Sequence, residues 1–320
     1  MKIEVLPEQG YRQKMEEAEK FLKEHGKTGW FDPDGRGKIY SETYLLPEAV
    51  GTVVLIHGFT ESAEKYKELI YYFLQNGYQI YTMDMRGHGR SVRDTGDDLS
   101  LTHIDRFESY IKDVEYLAEL AKRENPDLPL YLYGHSMGGG VSAAVLQKRP
   151  DLFKKAILNS PMIQPLTGNV PFPLAIFIAS VMVKLGKGKD YVAGQHGYQG
   201  DETFEASCSS CEARYEYYAE KRANEKLFQN CGASYSWLSG AGKLTKSLLR
   251  PENCKKVQIP VLLFQAELDD VVSNDAQKQF VGQLPNAKLV IVPNTKHESY
   301  LGTTATLEKY LTELFAFLEE

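Results

Sequence analysis

One eleven-residue stretch limits what this chain can fold into more than any other. Residues 130–140 read Leu-Tyr-Leu-Tyr-Gly-His-Ser-Met-Gly-Gly-Gly, in which a β-forming run enters a Gly-x-Ser-x-Gly turn and small residues follow it. This pattern predicts a buried strand, a sharp turn and the start of a helix. Ser136 stands at the middle of the turn, which would lift its hydroxyl clear of the sheet.

Ser136 is therefore the candidate nucleophile. A serine hydroxyl is a weak nucleophile at neutral pH and needs both an exposed position and a neighbouring base. Gly134 and Gly138 leave room for the turn, because a β-carbon at either place would crowd the serine backbone. The alternative is a glycine-rich turn with a capping serine, but the apolar run before it and the helical run at 141–148 favour the nucleophile.

Strand-like and helix-like segments alternate on both sides of Ser136, which predicts an α/β fold with a mostly parallel sheet and helices on both faces. The predicted strands are 51–56, 78–83, the run from 130, 156–159, 261–265 and 288–292. The predicted helices are 63–75, 106–123, 141–148, 275–283 and 304–317. A β-hairpin is expected over 29–44. The predicted organisation is an N-terminal helical segment at 1–27, a core at 28–161 and 254–320, and an inserted helical cap at 162–253.

A serine nucleophile needs a histidine as its base, and two of the seven histidines follow Ser136 along the chain, His196 and His297. With a nucleophile on this kind of turn, the partners follow in the order serine, acid, histidine. His196 falls among glycines in the predicted cap. His297 follows the strand at 288–292 through a short loop at the carboxyl edge of the sheet, where Ser136 also sits. We therefore predict His297 as the base.

The acid should come just after a strand that lies between the nucleophile and the base. The strand at 156–159 is not followed directly by a carboxylate, whereas the strand at 261–265 is followed by Glu267, Asp269 and Asp270. Asp269 is the prediction, because it is far enough along to clear the strand and two valines then return the chain to the core. Asp270 stays open as a rival, and its alternative role is to cap the next helix.

The two N–H donors of an oxyanion hole are predicted at Met137 and Phe59. The N–H of Met137 would lie at the positive end of the helix that follows the nucleophile. Phe59 comes from His57-Gly58-Phe59-Thr60, which ends the strand at 51–56, and Gly58 lets the backbone approach closely. His57 stands too early in the chain to be the base and is expected to be a packed or hydrogen-bonded neighbour.

Two groups of residues could instead suggest metal sites, and neither is favoured. The glycines at 87 and 89 point to a tight loop that Asp84 and Arg86 pair with or cap, rather than to metal ligands. A Cys-x-x-Cys pair lacks the second such pair typical of zinc sites. We therefore expect no metal and no cofactor. The residues concerned are Asp84, His88 and His57 in the first group, and Cys208, Cys211, Cys231 and Cys254 in the second.

Composition and the first residues bear on partners and location. The formal net charge of −6 gives no reason to expect nucleic acid as a partner. The start of the chain lacks the apolar region of a signal peptide, so four cysteines suggest reduced thiols in the cytoplasm. The longest uncharged apolar stretch, 170–183, is too short to span a membrane.

The segments Leu55–Phe59, Asp84–Ser91 and Gly134–Gly139, together with Asp269 and His297, resemble the α/β-hydrolase superfamily and, within it, the lysophospholipase and monoacylglycerol lipase branch. The resemblance covers roughly residues 28–320. It implies hydrolysis of carboxylic esters through an acyl-enzyme without a cofactor. The nucleophile, base and acid would be the serine, histidine and aspartate predicted above.

The cap carries a weaker resemblance. Gly232–Leu238 is similar to a segment of bacterial lysophospholipases, which implies that Trp237 faces an acyl pocket. The apolar stretch 170–183 is interpreted as a helix from near Pro173 that lines this pocket and touches a membrane surface at most transiently. Plain packing within the cap is the alternative.

Three hypotheses follow. The first is a serine hydrolase acting on a monoacylated glycerol or glycerophospholipid. The second keeps the same three residues in a short-chain carboxylesterase, thioesterase or peptidase. The third is a non-catalytic member that uses the fold to bind a ligand or partner. The sequence leaves the oligomeric state open.

Overall fold

The computed structural model describes residues 3–320 and is built on an eight-stranded sheet in the order β1-β2-β4-β3-β5-β6-β7-β8. Neighbouring strands from β4 through β3 to β8 run parallel, while β2 is antiparallel to β1 and β4. The α/β prediction is therefore confirmed. The strands are β1 Gly26–Phe31, β2 Ile39–Tyr44, β3 Gly51–Ile56, β4 Tyr78–Met83, β5 Leu130–His135, β6 Lys155–Asn159, β7 Val261–Ala266 and β8 Ala287–Val292.

Helices connect the strands along the described chain. They are α1 Tyr11–His25, α2 Lys67–Gln75, α3 Glu108–Glu124, α4 Ser136–Lys148, α5 Phe172–Lys184, α6 Glu212–Asn224, α7 Tyr235–Leu248, α8 Pro251–Cys254, α9 Asn274–Gln283 and α10 Thr304–Glu319. Short 3-10 turns lie at Ala63–Tyr66, Lys226–Phe228 and Ser299–Leu301.

The apolar core is divided by the sheet into two layers. Successive side chains of a strand point to opposite faces, and β3 shows this directly, since Val54 and Ile56 belong to one apolar cluster while Val53 and Leu55 belong to the other. All six residues of β3 are buried. A strand covered on both faces explains the continuous apolar run in the sequence.

The first elements agree with prediction apart from small shifts of their bounds. Helix α1 lies in the predicted N-terminal helical segment and buries one apolar stripe, which consists of Tyr11, Met15, Ala18 and Leu22. The hairpin forms as β1 and β2. Met1 and Lys2, the first residues of the predicted N-terminal segment, lie outside the described residues.

The insertion between β6 and β7 contains α5 to α8 and adds no strand to the sheet; all of its residues are described. Helix α7 buries its inner side in the core, and α5 packs against α7 with its outer side exposed. Helix α6 is held differently, since the buried Arg214 donates to both carboxylate oxygens of Glu68 at 3.0 and 3.1 Å. No helix within residues 3–320 is long and apolar enough to cross a membrane.

Candidate active site

Ser136 lies at the junction of β5 and α4, at the carboxyl edge of the sheet. Its φ of 51° is in the left-handed region, which is strained for a residue with a side chain and is typical of this turn. A β-carbon at Gly138 would lie 2.3 Å from the carbonyl oxygen of His57, so only glycine fits there. The helix begins at Ser136 itself and not at residue 141 as predicted.

The structure brings the predicted nucleophile, base and acid together. Ser136 Oγ lies 2.7 Å from His297 Nε2, and His297 Nδ1 lies 2.7 Å from Asp269 Oδ2. A carboxylate can only accept, so Nδ1 carries the ring proton and Nε2 is left to accept the serine hydroxyl. His297 follows β8 and Asp269 follows β7, which is why two loops far apart in sequence meet beside Ser136.

Asp269 is fixed by its own loop. Its Oδ1 accepts the N–H groups of Val271 and Val272, both at 3.0 Å, while Oδ2 faces the imidazole. Burial alone would raise the pKa of Asp269, but the hydrogen bonds from His297 and the two amides outweigh it and lower the pKa. Asp270 is exposed, and Ser273 rather than Asp270 caps α9 through its side chain.

The two predicted oxyanion donors belong to chain segments next to this serine. Met137 is the second residue of α4, so its N–H belongs to the first turn, where the helix supplies no acceptor. Phe59 follows Gly58 on the loop after β3. A β-carbon at Gly58 would come within 3.0 Å of Ser136 Cβ, so the loop approaches the serine closely.

An apolar flank, defined by Phe59, Phe107, Met137 and Trp237, lies on one side of the serine. The Trp237 ring centroid is 4.3 Å from that of Phe59 and 6.0 Å from that of Phe107. Its indole Nε1 donates to the sulfur of Met137 at 3.3 Å. Trp237 thus joins helix α7 to both residues of the predicted oxyanion hole.

An ionic flank, defined by Glu61, Lys65, Tyr218 and Glu298, lies beside the oxyanion loop and His297. Glu61 is buried and accepts the N–H of Gly58 at 2.7 Å, and Lys65 Nζ lies 2.9 Å from Glu61 and 2.5 Å from Glu298. Burial opposes ionisation of Glu61, but Lys65 and the hydrogen bonds hold its pKa below the usual value.

Sequence reasoning missed this flank, although two signals were available. Glu61 stands three residues after Gly58, and Glu298 directly follows His297. The hydroxyls of Tyr66 and Tyr300 also reach Glu61, at 2.5 and 2.9 Å. One carboxylate therefore ties the loop of the predicted oxyanion donor to the chain after the predicted base.

His135 is a further residue near the candidate site that the sequence did not predict. Its ring centroid is 4.8 Å from that of His297, and its Nδ1 lies 2.8 and 3.1 Å from the side-chain nitrogen and carbonyl oxygen of Asn159. Burial lowers the pKa of His135 to about 3. It is thus a neutral imidazole packed behind the serine.

The remaining candidates from the sequence have structural positions. His57 is fully buried and accepts the N–H of Met85 at 2.7 Å, as expected of a hydrogen-bonded neighbour. Asp84 accepts the N–H groups of Ala63 and Arg90, both at 2.8 Å, which shows the loop-capping role. Arg86 pairs with Asp113 and Asp34 and not with Asp84.

Two further histidines, the four cysteines and one group of possible metal ligands are the other candidates. His88 is buried against the ring of His57, and the exposed His196 contacts the carbonyl of Gly197. All four cysteines are free. Within residues 3–320, one group of three possible metal ligands has its ligand atoms within 4.8 Å of one another; it consists of Asp94, His103 and Asp105. Lys189 already pairs with Asp94 there.

The parallel sheet, the serine on a strand-to-helix turn, and the acid and histidine on loops after later strands define an α/β-hydrolase. The family model described as "Serine aminopeptidase, S33" matches residues 47–302, which is most of the chain. The chain therefore belongs to this family, and the predicted superfamily is confirmed.

Curated relatives agree with the branch that the motifs indicate. The chain is 28% identical over 247 residues to a probable lysophospholipase L2 of Haemophilus influenzae, covering 77% of this chain and 76% of that protein. It is 32% identical over 138 residues to a monoacylglycerol lipase of Mycolicibacterium smegmatis, covering 43% and 46% of the two chains. The match to this second relative thus covers a little under half of either protein.

A solved structure shares the fold over nearly the whole chain. The structure of a soluble variant of monoglyceride lipase from Saccharomyces cerevisiae superposes with a TM-score of 0.74. It covers 92% of this chain and 94% of its own, at 18% sequence identity. At that identity the likeness shows the fold alone.

Proposed function

We propose that this protein hydrolyses carboxylic esters of acylated glycerol lipids, with Ser136 as nucleophile, His297 as general base and then acid, and Asp269 as the orienting acid. The observation that carries the proposal is the pair of 2.7 Å contacts that links the serine oxygen to the imidazole and the imidazole to the carboxylate. This arrangement activates a hydroxyl at neutral pH.

The first half of the reaction transfers the acyl group to the serine. Ser136 Oγ attacks the ester carbonyl and its proton passes to His297 Nε2, while Asp269 stabilises the resulting imidazolium. The N–H groups of Phe59 and Met137 hold the oxyanion of the tetrahedral intermediate. His297 then gives its proton to the leaving alcohol as the carbon–oxygen bond breaks.

The second half releases the acid and restores the enzyme. Water adds to the acyl-enzyme as His297 Nε2 takes its proton, and the oxyanion again lies at the N–H groups of Phe59 and Met137. When the intermediate collapses, the proton returns to Ser136 Oγ and the fatty acid leaves. No other group needs to change its protonation state.

A lipid substrate is supported by the relatives named lysophospholipase and monoacylglycerol lipase and by the apolar flank. Trp237, Phe59 and Phe107 offer aromatic surface next to the reacting carbon, and an acyl chain gains about 0.8 kcal/mol for each CH₂ it buries. We therefore propose that Trp237 contacts the acyl chain.

We propose that residues 28–161 and 254–320 form the core, 162–253 a cap and 1–27 an N-terminal helical segment. Much of α5 is apolar and exposed, including Leu174, Phe177 and Ile178, with Leu185 directly after it. This surface would touch a membrane transiently. The four free cysteines favour the cytoplasm as the location.

The experiment for this function combines one variant with a series of substrates. Ser136→Ala should abolish hydrolysis of nitrophenyl decanoate while its thermal unfolding stays close to that of wild type. Wild-type activity in the variant would refute the mechanism. An optimum at acetyl with no activity at ten carbons or longer would favour a short-chain esterase, and cleavage of aminoacyl nitroanilides alone would favour a peptidase.

Membrane contact has a separate test. The double variant Phe177→Ser, Leu185→Ser should lose most of its sedimentation with phospholipid vesicles, because it removes exposed apolar area from α5. It should keep wild-type hydrolysis of a dissolved butyrate ester. Unchanged sedimentation would exclude this face of α5 as the contact.

A further inference from the structure

A cavity of about 210 Å³ lies next to the ionic flank, between the oxyanion loop and helix α6. Its wall includes Thr60, which follows the proposed oxyanion donor, and Glu298, which follows the proposed base. The apolar flank is centred on Trp237 of helix α7, and none of its four residues lines this cavity. An ester with its acyl chain on the apolar flank would therefore send its alcohol part toward this cavity.

The cations that line this cavity are already paired. Lys65 lies between Glu61 and Glu298, at 2.9 and 2.5 Å. Arg222 pairs with Glu202 and also donates to the backbone carbonyls of Phe228 and Asn230. A phosphodiester would meet carboxylates here and would have to displace one of them to gain a cation.

The nearby Lys296 is also engaged. Its Nζ donates to the backbone carbonyls of Glu205 and Ser207, at 2.8 and 3.0 Å, on the chain that forms one side of the cavity. Each cation around the cavity thus has protein oxygens as partners. A phosphate group would have to replace these contacts and lose its own hydration, which is costly.

Neutral hydrogen-bonding groups are available instead. Tyr218 lines the cavity and its hydroxyl is buried close to the hydroxyl of Ser62, but neither hydroxyl makes a hydrogen bond of good geometry within residues 3–320. The carboxylate of Glu298 can accept further hydrogen bonds beside it. A donor together with an acceptor suits a group that offers several hydroxyls.

We propose that this cavity receives the alcohol part of the substrate and selects an uncharged polyol, so that the protein cleaves monoacylglycerols in preference to lysophospholipids. The inference rests on the proposed ester hydrolysis and narrows it, since the curated relatives carry names of both kinds. The preference arises because the cations that line the cavity are already in ion pairs, so none is free to bind the phosphate of a lysophospholipid.

The direct test compares headgroups on one acyl chain. Hydrolysis of 1-oleoylglycerol, 1-oleoylglycerophosphocholine and 1-oleoylglycerophosphate is measured in the same neutral detergent micelles. We expect kcat/KM for the monoacylglycerol to be at least about tenfold higher than for either phospholipid. Equal or reversed values would overturn the inference. Nitrophenyl decanoate in the same preparation reports whether ester hydrolysis itself operates, so the two proposals fail separately.

A charge variant tests the cause of the preference. Glu202→Gln leaves Arg222 without its carboxylate, and the ratio of lysophospholipid to monoacylglycerol hydrolysis should rise about threefold, a modest change because the pair is partly exposed. Glu313→Gln removes a carboxylate that is about as exposed as Glu202, from the Lys288–Glu313 pair that does not line this cavity, and is the control. Equal ratios in the two variants would overturn the ionic explanation.

Removing one hydroxyl tests the polyol contact. Tyr218→Phe should raise KM for the monoacylglycerol about fivefold with little change in kcat, because one neutral hydrogen bond is lost on binding. The ratio of KM for the monoacylglycerol to KM for nitrophenyl decanoate should therefore rise, since the nitrophenyl leaving group has no hydroxyls. A KM for monoacylglycerol equal to that of wild type would overturn the assignment of Tyr218.

Discussion

The apolar and ionic flanks of the candidate site stabilise the same loop in different ways. On the apolar flank, Trp237 packs on Phe59 and bonds the sulfur of Met137, so the contacts are aromatic and come from the cap. On the ionic flank, Glu61 holds Gly58 and is itself held by Lys65. The comparison suggests that the apolar flank can adapt its shape to an acyl chain, while the ionic flank fixes the backbone.

The rigidity of the ionic flank follows from its burial. Lys65 is enclosed with two carboxylates, and removing the lysine would leave both carboxylates uncompensated, at a cost of about 3–5 kcal/mol. Aromatic contacts are less directional and tolerate small shifts. We therefore expect substitution of Glu61 on the ionic flank to change kcat. Substitution of Trp237 on the apolar flank should change the preference for acyl-chain length.

The largest expected effect lies between the flanks, at the acid. Asp269→Asn should lower kcat about 10⁴-fold, because an amide no longer fixes the tautomer of His297. Asp270→Asn, one residue further on and exposed, is the matched control and should keep wild-type kcat on nitrophenyl decanoate. If Asp270→Asn were the damaging change, the assignment of the acid would be wrong.

A smaller loss is expected from the ionic flank. Glu61→Gln should lower kcat about 10- to 100-fold with little change in KM, because Gly58 loses a charged acceptor and the oxyanion loop is less well positioned. Steady-state kinetics on nitrophenyl decanoate would measure it. Glu64→Gln, which alters a neighbouring ion pair without a contact to Gly58, should have less than a twofold effect.

A substitution on the apolar flank should change the preference for acyl-chain length. Trp237→Ala should reduce the ratio of kcat/KM for decanoyl over acetyl nitrophenyl esters about tenfold, because aromatic surface for the acyl chain is lost. A ratio is independent of the amount of folded enzyme. Trp30, the second tryptophan of the chain, is 54% exposed on β1, and Trp30→Ala is expected to leave this ratio unchanged. A similar ratio in both variants would remove Trp237 from the acyl site.

The last prediction concerns stability against pH rather than catalysis. His135 has a pKa of about 3 in the folded chain and an ordinary value of 6.5 when unfolded. The unfolded chain therefore binds one more proton between these values, and stability falls as pH drops through this range by up to about 1.4 kcal/mol per pH unit. The free energy of unfolding, measured in urea between pH 6.5 and 4, should fall less steeply with decreasing pH in His135→Gln than in wild type. Equal slopes would mean that His135 is not buried as a neutral ring.

The sequence predicts the candidate nucleophile and its partners better than it predicts the structure around them. The turn at Ser136 and the order of its partners predict His297 and place the acid on the loop after β7, because parallel strands end at one edge of the sheet. They leave Asp270 open as a rival of Asp269, and the hydrogen bond to His297 favours Asp269. The start of α4 was placed five residues late, since three consecutive glycines suggest low helix propensity that tertiary packing overrides here.

Sequence position points to Glu61 and Glu298 but does not show that the ionic flank is buried. Glu61, Lys65 and Glu298 look like surface charges when read along the chain, and their burial depends on how distant loops pack. The same holds for Tyr218, whose position beside the cavity results from the docking of α6. Periodicity reports which face of an element is buried but not which charged groups meet beneath a loop.

The central claim is that Ser136 is a nucleophile activated by His297. A fluorophosphonate probe followed by intact-mass and peptide mass spectrometry tests it most directly. The account predicts one adduct per chain, located on Ser136, formed rapidly by wild type and slowly by His297→Gln. A folded wild-type protein that stays unlabelled, or that carries the adduct on another residue, would contradict it.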